Sequence, residues 1–190
     1  MTEPDNIPIA IAGVSHHTAD VAAIEAFRFA GEPEFLEAAC LRFDGVLLLQ
    51  TCNRVEVIVE GDVSALKEFL GEQGRKDFFI HQGKGALRHL FALASGIDSM
   101  IVGEDQIIGQ LKKALADAQE AGTATGFLEH CVNKAVHVGV EVRQRTLINR
   151  GAVSIGSAAV QLAEAEIGSL EGKHILVVGS GEMGLLVAQA

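Results

Sequence analysis

Apolar and polar positions alternate in short runs over the first eighty residues of this chain and then settle into helical stripes. Ile7 to Val14 is an apolar segment and predicts a first strand. Val46-Leu47-Leu48-Leu49 is a continuous apolar run, and Val55-Glu56-Val57-Ile58-Val59 alternates. Together they predict two strands joined by a tight hairpin at Gln50 to Arg54. Ahead of the hairpin, Ser15-His16-His17-Thr18 offers a turn and a helix cap. Residues 19 to 43 then look mostly helical, interrupted at Gly31-Glu32-Pro33. After the hairpin, Asp62 to Gln73 predicts a helix capped by Asp62 or Ser64, and Asp77 to His81 a last short strand. The order β-α-β-β-α-β is that of the ferredoxin-like split fold, an α+β arrangement.

Beyond Gly83 the spacing is helical. Within Gly85 to Ser95, Leu87, Leu90, Phe91 and Ala94 form one stripe, and at about 100° per residue His89 falls nearly opposite it. His89 is then either a solvated surface histidine or one that projects from a rigid helix into a cleft; the pattern leaves both open. Residues 96 to 106 read as a loop into a helix with Ile107, Ile108, Leu111, Ala114, Leu115 and Ala118 on one side and Gly122 as its stop. A third helix carries Phe127, Leu128, Cys131, Ala135, Val138 and Val142 as its apolar face. Ser154 is placed to cap a further helix to about Ile167, with Gly168 and Gly172 around its end.

The final stretch changes register. Lys173 to Val178 reads as a buried strand of the parallel-sheet type, and it enters Gly179-Ser180-Gly181-Glu182-Met183-Gly184 and a helical start. This is G-x-G-x-x-G between a strand and a helix. There the glycines permit a tight turn and let backbone N–H groups approach a pyrophosphate at the helix N-terminus. The acidic residue that reads the ribose, about 20 positions on, would fall past Ala190, so NAD and NADP are not told apart.

Composition narrows the function classes. The 190 residues are 48% hydrophobic, as in a globular chain with a proper core. No apolar run approaches the roughly 20 residues needed to cross a membrane. The acidic, polar start Met1-Thr2-Glu3-Pro4-Asp5 does not resemble a secretory signal. Cys40, Cys52 and Cys131 are odd in number and far apart, so neither a disulfide framework nor a zinc site is expected, and the expected compartment is the cytoplasm. A net charge of -10 argues against indiscriminate nucleic-acid binding. A local basic run, with Lys134, Arg143, Arg145 and Arg150 around Glu141, keeps a specific contact open.

Chemistry concentrates at Gln50-Thr51-Cys52-Asn53-Arg54. A thiol on a hairpin turn is reachable, whereas a packing cysteine lies within an element, as Cys131 does on its stripe and Cys40 near a helix end. Arg54, two residues on, is suited to favour the thiolate, the form that acts as nucleophile. The bland alternative is a half-buried cysteine in a polar turn. A thiol followed by a dinucleotide turn suggests acyl chemistry through a thioester that hydride then reduces.

Three blocks, taken in order, carry a resemblance. Gly13-Val14-Ser15-His16-His17-Thr18-Ala19, Thr51-Cys52-Asn53-Arg54-Val55-Glu56, and His89-Leu90-Phe91 leading into Ser95 to Gln110 look like the signature blocks of glutamyl-tRNA reductases. The departures are small: Ile97 where leucine is usual, and Asp105 where proline is common. The resemblance implies NADPH-dependent reduction of glutamyl-tRNA to glutamate-1-semialdehyde, the first step of five-carbon tetrapyrrole biosynthesis, with no metal. It implies Cys52 as the thioester nucleophile and His89 as its acid/base or orienting group. Thr51, Arg54, Ser99, Gln106 and Ser154 would line the glutamate pocket, with Glu104 beside them, and Arg54 would be the bidentate partner of the glutamate carboxylate. Gly179, Ser180, Gly181, Glu182, Met183 and Gly184 would begin the cofactor site. No role is derived for His16 and His17.

The implied domains are 1–150 for catalysis and glutamyl-tRNA binding, 151–171 as a connecting helix, and 172–190 as the first β-turn-α of a Rossmann domain. The family continues into the rest of that domain and a dimerisation domain. The expectation is therefore that this stretch performs only the thioester half, that a homodimer forms through residues absent here, and that glutamate-1-semialdehyde aminomutase is a partner. Two other classes compete: a thiol acyl-transferase or hydrolase, and a tRNA-binding regulator in which Cys52 is structural.

Overall fold

The apolar run at the start of the chain forms β1 (Ile9–Ser15), whose seven residues are all buried. A computed structural model describes residues 7–149, 155–179 and 181–189. Two helices follow, α1 (Val21–Phe27) and α2 (Glu32–Cys40). The break between them falls at Arg28 to Gly31, while Pro33 sits inside the first turn of α2, where a missing N–H costs nothing. The hairpin comes next, β2 (Gly45–Gln50) and β3 (Arg54–Glu60), then α3 (Val63–Glu72) and β4 (Phe79–Gln82). Asp62 caps α3 by accepting from Ser64 N at 2.7 Å, whereas the cap of α1 is Asp20 and not a residue of the histidine turn.

The four strands lie in the order β2-β3-β1-β4, and each neighbouring pair is antiparallel. Alternation then sorts side chains onto two faces. Ala10, Ala12, Val14, Val46, Leu48, Val55, Val57 and Val59 pack with Phe27, Phe35, Leu36, Leu66 and Phe69 of the first three helices. The opposite face, Ile9, Ile11, Leu47, Leu49 and Ile58, packs under α4 (Gly83–Ala94), α5 (Gln106–Glu120) and α6 (Gly126–Arg145). Leu47, Leu90, Leu93 and Leu111 have no exposed surface. Each such burial is worth about 1.5–3 kcal/mol relative to exposure.

Because helices cover both faces, the alternation in β3 does not separate inside from outside. Arg54 is 2% and Glu56 0% exposed, both on the face toward the later helices. Their partners in register on β1 are Ser15 and Gly13. A Cβ on Gly13 would lie 2.1 Å from Val55 O, so only glycine lets β1 and β3 approach this closely.

The buried stripe of α4 is Gly83, Ala86, Leu90, Leu93 and Ala94, with Leu87 and Phe91 only half-buried. The expected stripe is thus rotated, because α4 packs against both the sheet and α6. His89 borders the stripe instead of opposing it. Gly139 permits the crossing of α4 and α6: a Cβ there would lie 2.3 Å from Ala94 O. On α6 the buried set is Leu128, Cys131, Val132, Ala135, Val136, Gly139 and Arg143, which includes Cys131 as expected but not Val138 or Val142.

Two further helices are α7 (Ile155–Ile167) and α8 (Glu182–Gln189). Lys173 to Val178, expected as a strand, forms none, and Leu176 and Val178 are 86% and 90% exposed. A strand needs a neighbour to satisfy its backbone, and among the described residues no other strand lies beyond β4. No helix among the described residues is long and apolar enough to cross a membrane.

Candidate active site

The β2–β3 hairpin fixes the turn and leaves its thiol outside. Thr51 N–H donates to Arg54 O at 2.9 Å, and Asn53 N–H donates to Thr51 Oγ1 at 3.1 Å. From one side the His16 N–H donates to Asn53 O at 2.9 Å. From the other, Arg28 donates to Thr51 O at 2.9 Å, and the Gln50 amide brackets the backbone of Phe29. Of the three cysteines Cys52 is exposed, Cys40 half-buried and Cys131 buried. Burial pushes the thiols of Cys40 and Cys131 up, away from the reactive form.

One small cavity, about 10 Å³ and so no roomier than a single water needs, gathers Thr51, Cys52 and Arg54 from the hairpin with Ser99, Glu104 and Gln106 from the loop before α5 and its first turn. These are the residues singled out in sequence for the thiol and its pocket, Ser154 and His89 aside. Asn53, Met100, Ile107 and Gln110 complete the lining. Ser99 lines this cavity, and its buried Oγ has no hydrogen-bond partner among the described residues, an unmet polar group that a polar ligand would satisfy. Ser154 lies outside the described residues.

Arg54 does not present a free fork. Its Nη1 donates to Glu56 Oε1 at 2.6 Å and to Asp98 Oδ2 at 2.8 Å, and its Nη2 donates to Asp98 O. Of the five guanidinium hydrogens, those on Nε and the second on Nη2 are left, so a carboxylate can still be met side-on. Burial alone would lower the Arg54 pKa; Glu56 and Asp98 outweigh it and hold the guanidinium charged. Its charge is therefore committed first to these carboxylates and not to Cys52.

His89 does not line the cavity. Its Nε2 lies 2.9 Å from Glu56 Oε2, so it reaches the pocket through Glu56 and Arg54. Its ring stacks on His81 at 4.8 Å and lies 5.2 Å from Phe79. Burial pushes the Glu56 carboxyl up, but the hydrogen bond and charge of His89, with Arg54, hold it below its usual value. An ionised Glu56 fixes the proton on Nε2 when His89 is neutral and leaves Nδ1 as acceptor. At the far end Asp98 Oδ1 lies 3.2 Å from His17 Nε2. The two histidines of the early block thus buttress the site: His16 through its backbone on the thiol turn, His17 through Asp98.

Glu56, His89 and Asp98 offer ligand atoms within 4.8 Å of one another, a donor set suited in type to a divalent metal. The space between the two carboxylates, however, is bridged by Arg54 Nη1, which already balances their charge. Asp98 stands in the third block but is given no role in sequence, where a lone acid in a loop carries no pattern. Arg143 was read only as part of a basic run, yet it is 8% exposed.

The glycine turn fits a phosphate only in part. Gly179 has φ +116°, and a Cβ on Gly184 would lie 2.2 Å from Gly179 O, so the turn closes onto the start of α8 as a dinucleotide turn must. Ser180 lies outside the described residues, as do the side chains of Glu182 and Met183. The adjoining strands of a crevice are absent among the described residues.

Comparison with known proteins shows what the chain is similar to. The family model for the glutamyl-tRNA(Glu) reductase N-terminal domain matches residues 12–146. The glutamyl-tRNA reductase of Methanoregula boonei is 74% identical over 95% of this chain and 43% of its own length. That of Methanoculleus marisnigri is 62% identical over 100% of this chain and 45% of its length. The solved structure of glutamyl-tRNA reductase from Methanopyrus kandleri superposes with a TM-score of 0.76 at 43% identity, covering 96% of this chain and 46% of that one. The chain spans less than half the length of these relatives.

Proposed function

The chain belongs to the glutamyl-tRNA reductase family through that family's N-terminal domain, and from this premise we propose that Cys52 accepts the glutamyl group of glutamyl-tRNA as a thioester. The observation that carries the reading is a single cavity in which an exposed thiol meets a buried, unpartnered hydroxyl and an arginine with donors to spare. In the reaction the Cys52 thiolate attacks the ester carbonyl carbon. A carbon–sulfur bond forms, the bond to the ribose oxygen breaks, and that oxygen takes a proton from water, replacing the one the thiol gave to water on ionising, and leaves as the free tRNA end. Ser99 Oγ and the remaining donors of Arg54 take the glutamate carboxylate. Glu104 meets the free α-ammonium, and Thr51 and Gln106 close the wall. His89 is a positioning residue that holds Glu56, and through it Arg54, in place. The family resemblance adds Ser154 to this wall.

Hydride for reducing the thioester to glutamate-1-semialdehyde, the entry to tetrapyrrole synthesis, would come from NADPH if it were bound, with the Cys52 thiolate as the leaving group. Gly179, Gly181 and Gly184, with Ser180, Glu182 and Met183, are the residues that would hold its pyrophosphate. The division that fits this reading is 1–150 for acyl transfer, 151–171 as connector and 172–190 as the start of the cofactor domain. The strand order supports a ferredoxin-like reading of the first part. A homodimer and an aminomutase partner belong to the same reading of the longer relatives.

The expected behaviour of this chain is acyl transfer without reduction: glutamyl-tRNA with NADPH yields free glutamate by slow hydrolysis of the thioester, and Cys52→Ser abolishes it, since serine is not ionised near neutral pH. Glutamate release that persists in Cys52→Ser would instead favour a hydrolase with another nucleophile. Aldehyde production would place the cofactor site elsewhere.

A further inference from the structure

The loop that completes the pocket, Gly96 to Glu104, is pinned at its tip and at its neck by different arginines. At the tip Asp98 is taken by Arg54. At the neck the guanidinium of Arg143, on α6, donates to Ala94 O at 2.7 Å and to Gly139 O at 3.0 Å from Nη1. Its Nη2 donates to Glu104 O, and its Nε to Asp105 Oδ1 at 2.9 Å. One buried side chain therefore ties together the last turn of α4, the end of the loop and the start of α5. Nothing else among the described residues spans both ends of the loop, apart from the backbone bond from Gly103 N to Gly96 O at 2.9 Å. The surroundings are cut to fit. A Cβ on Gly96 would lie 3.0 Å from Arg143 Nη2, and one on Gly103 would lie 1.9 Å from Ile148 O, just past the end of α6.

We propose that Arg143 is a positioning residue for the acyl-accepting pocket: by stapling Ala94 to Glu104 and Asp105 it sets where Ser99 and Glu104 stand against Cys52. The inference rests on the acyl-transfer reading for its consequence, but not for its geometry. Cys52 rides on the β2–β3 hairpin, which Arg143 does not touch. Ser99 and Glu104 ride on the loop, which Arg143 holds. Loss of the staple therefore changes how the glutamyl group is seated and leaves the thiol itself alone. Lysine cannot replace it, because a single ammonium cannot span acceptors that the planar fork reaches at once.

The test compares Arg143→Met, Arg143→Lys and Asp105→Asn in the same chain. Asp105 is 65% exposed at its side chain, and asparagine keeps an Oδ1 acceptor, so its change removes one partner's charge and leaves the buried bonds in place. Deuterium uptake is read in residues 96–104 against β2 and β3, Cys52 alkylation by iodoacetamide is timed, and glutamyl transfer is measured over a range of glutamyl-tRNA concentrations. In both Arg143 variants uptake should rise about tenfold in the loop and not in the hairpin. Alkylation should stay within about twofold, and transfer efficiency should fall about tenfold or more through KM, as misplacement by an ångström can cost that much. Asp105→Asn should shift the same readouts in the same direction by less, and it decides the matter if the Arg143 variants do not fold. Unchanged uptake in the loop would overturn the proposal, as would equal losses in alkylation and transfer. A wild-type chain that transfers nothing would overturn the acyl-transfer reading instead, and the uptake comparison would still judge Arg143.

Discussion

Glu56 accepts from Arg54 and His89 at once with none of its surface exposed, so its charge organises the polar interior of the sheet. Glu56→Gln keeps the shape and removes the charge, leaving Arg54 with Asp98 alone. Urea denaturation should show a loss of about 3 kcal/mol, the usual scale for breaking a buried pair on one side; a change under about 1 kcal/mol would mean that the pair is not structural. A pH dependence follows from the same cluster. Burial, followed by charged neighbours, holds His16 and His81 below their ordinary 6.5, so the unfolded chain takes up protons that the folded one refuses. Stability should then fall as pH drops through 6.5. Glu56, held below its ordinary 4.5, adds a further loss as pH falls through that value. Tm measured from pH 7.5 to 5 should decline, less steeply in His81→Gln; a flat profile would contradict this. At this scale Cys52 was legible in sequence because two apolar runs bracket its turn. The burial of Arg54 and Glu56 was not, because alternation in a strand looks the same whether its polar face meets water or a second layer of helices.

Among the elements, the crossing of α4 and α6 depends on Gly139, and with it the neck of the loop that Arg143 ties. Gly139→Ala should push the helices apart and cost about 2 kcal/mol by overpacking, even though alanine is the better helix former. Thermal unfolding at or above the wild-type Tm would refute that contact. Helix existence, the hairpin and the buried place of Cys131 were all readable from spacing and caps. The rotation of the α4 stripe was not, since a helix packed on two sides has no single apolar face for a period to find. His89 therefore lies at the flank of its helix, 12% exposed and over Glu56, not on a solvated face.

For the molecule as a whole, the hairpin thiol belongs to a four-stranded sheet covered by helices on both faces, whereas the dinucleotide turn has no sheet beside it among the described residues. Lys173 to Val178 has strand composition, but composition alone does not make a strand where no neighbour accepts its hydrogen bonds. The family match, ending at residue 146, covers the first of these parts and not the second. The acyl-transfer account thus turns on one bond, from Cys52 sulfur to a glutamyl carbon. It is tested by incubating the chain with tRNA charged with labelled glutamate, quenching in acid and mapping the label by peptide mass spectrometry. The account predicts a glutamyl adduct on the peptide bearing Cys52, released by hydroxylamine and missing in Cys52→Ser. A label on Cys40 or Cys131, or no adduct on a folded chain whose exposed thiol still alkylates, would contradict it.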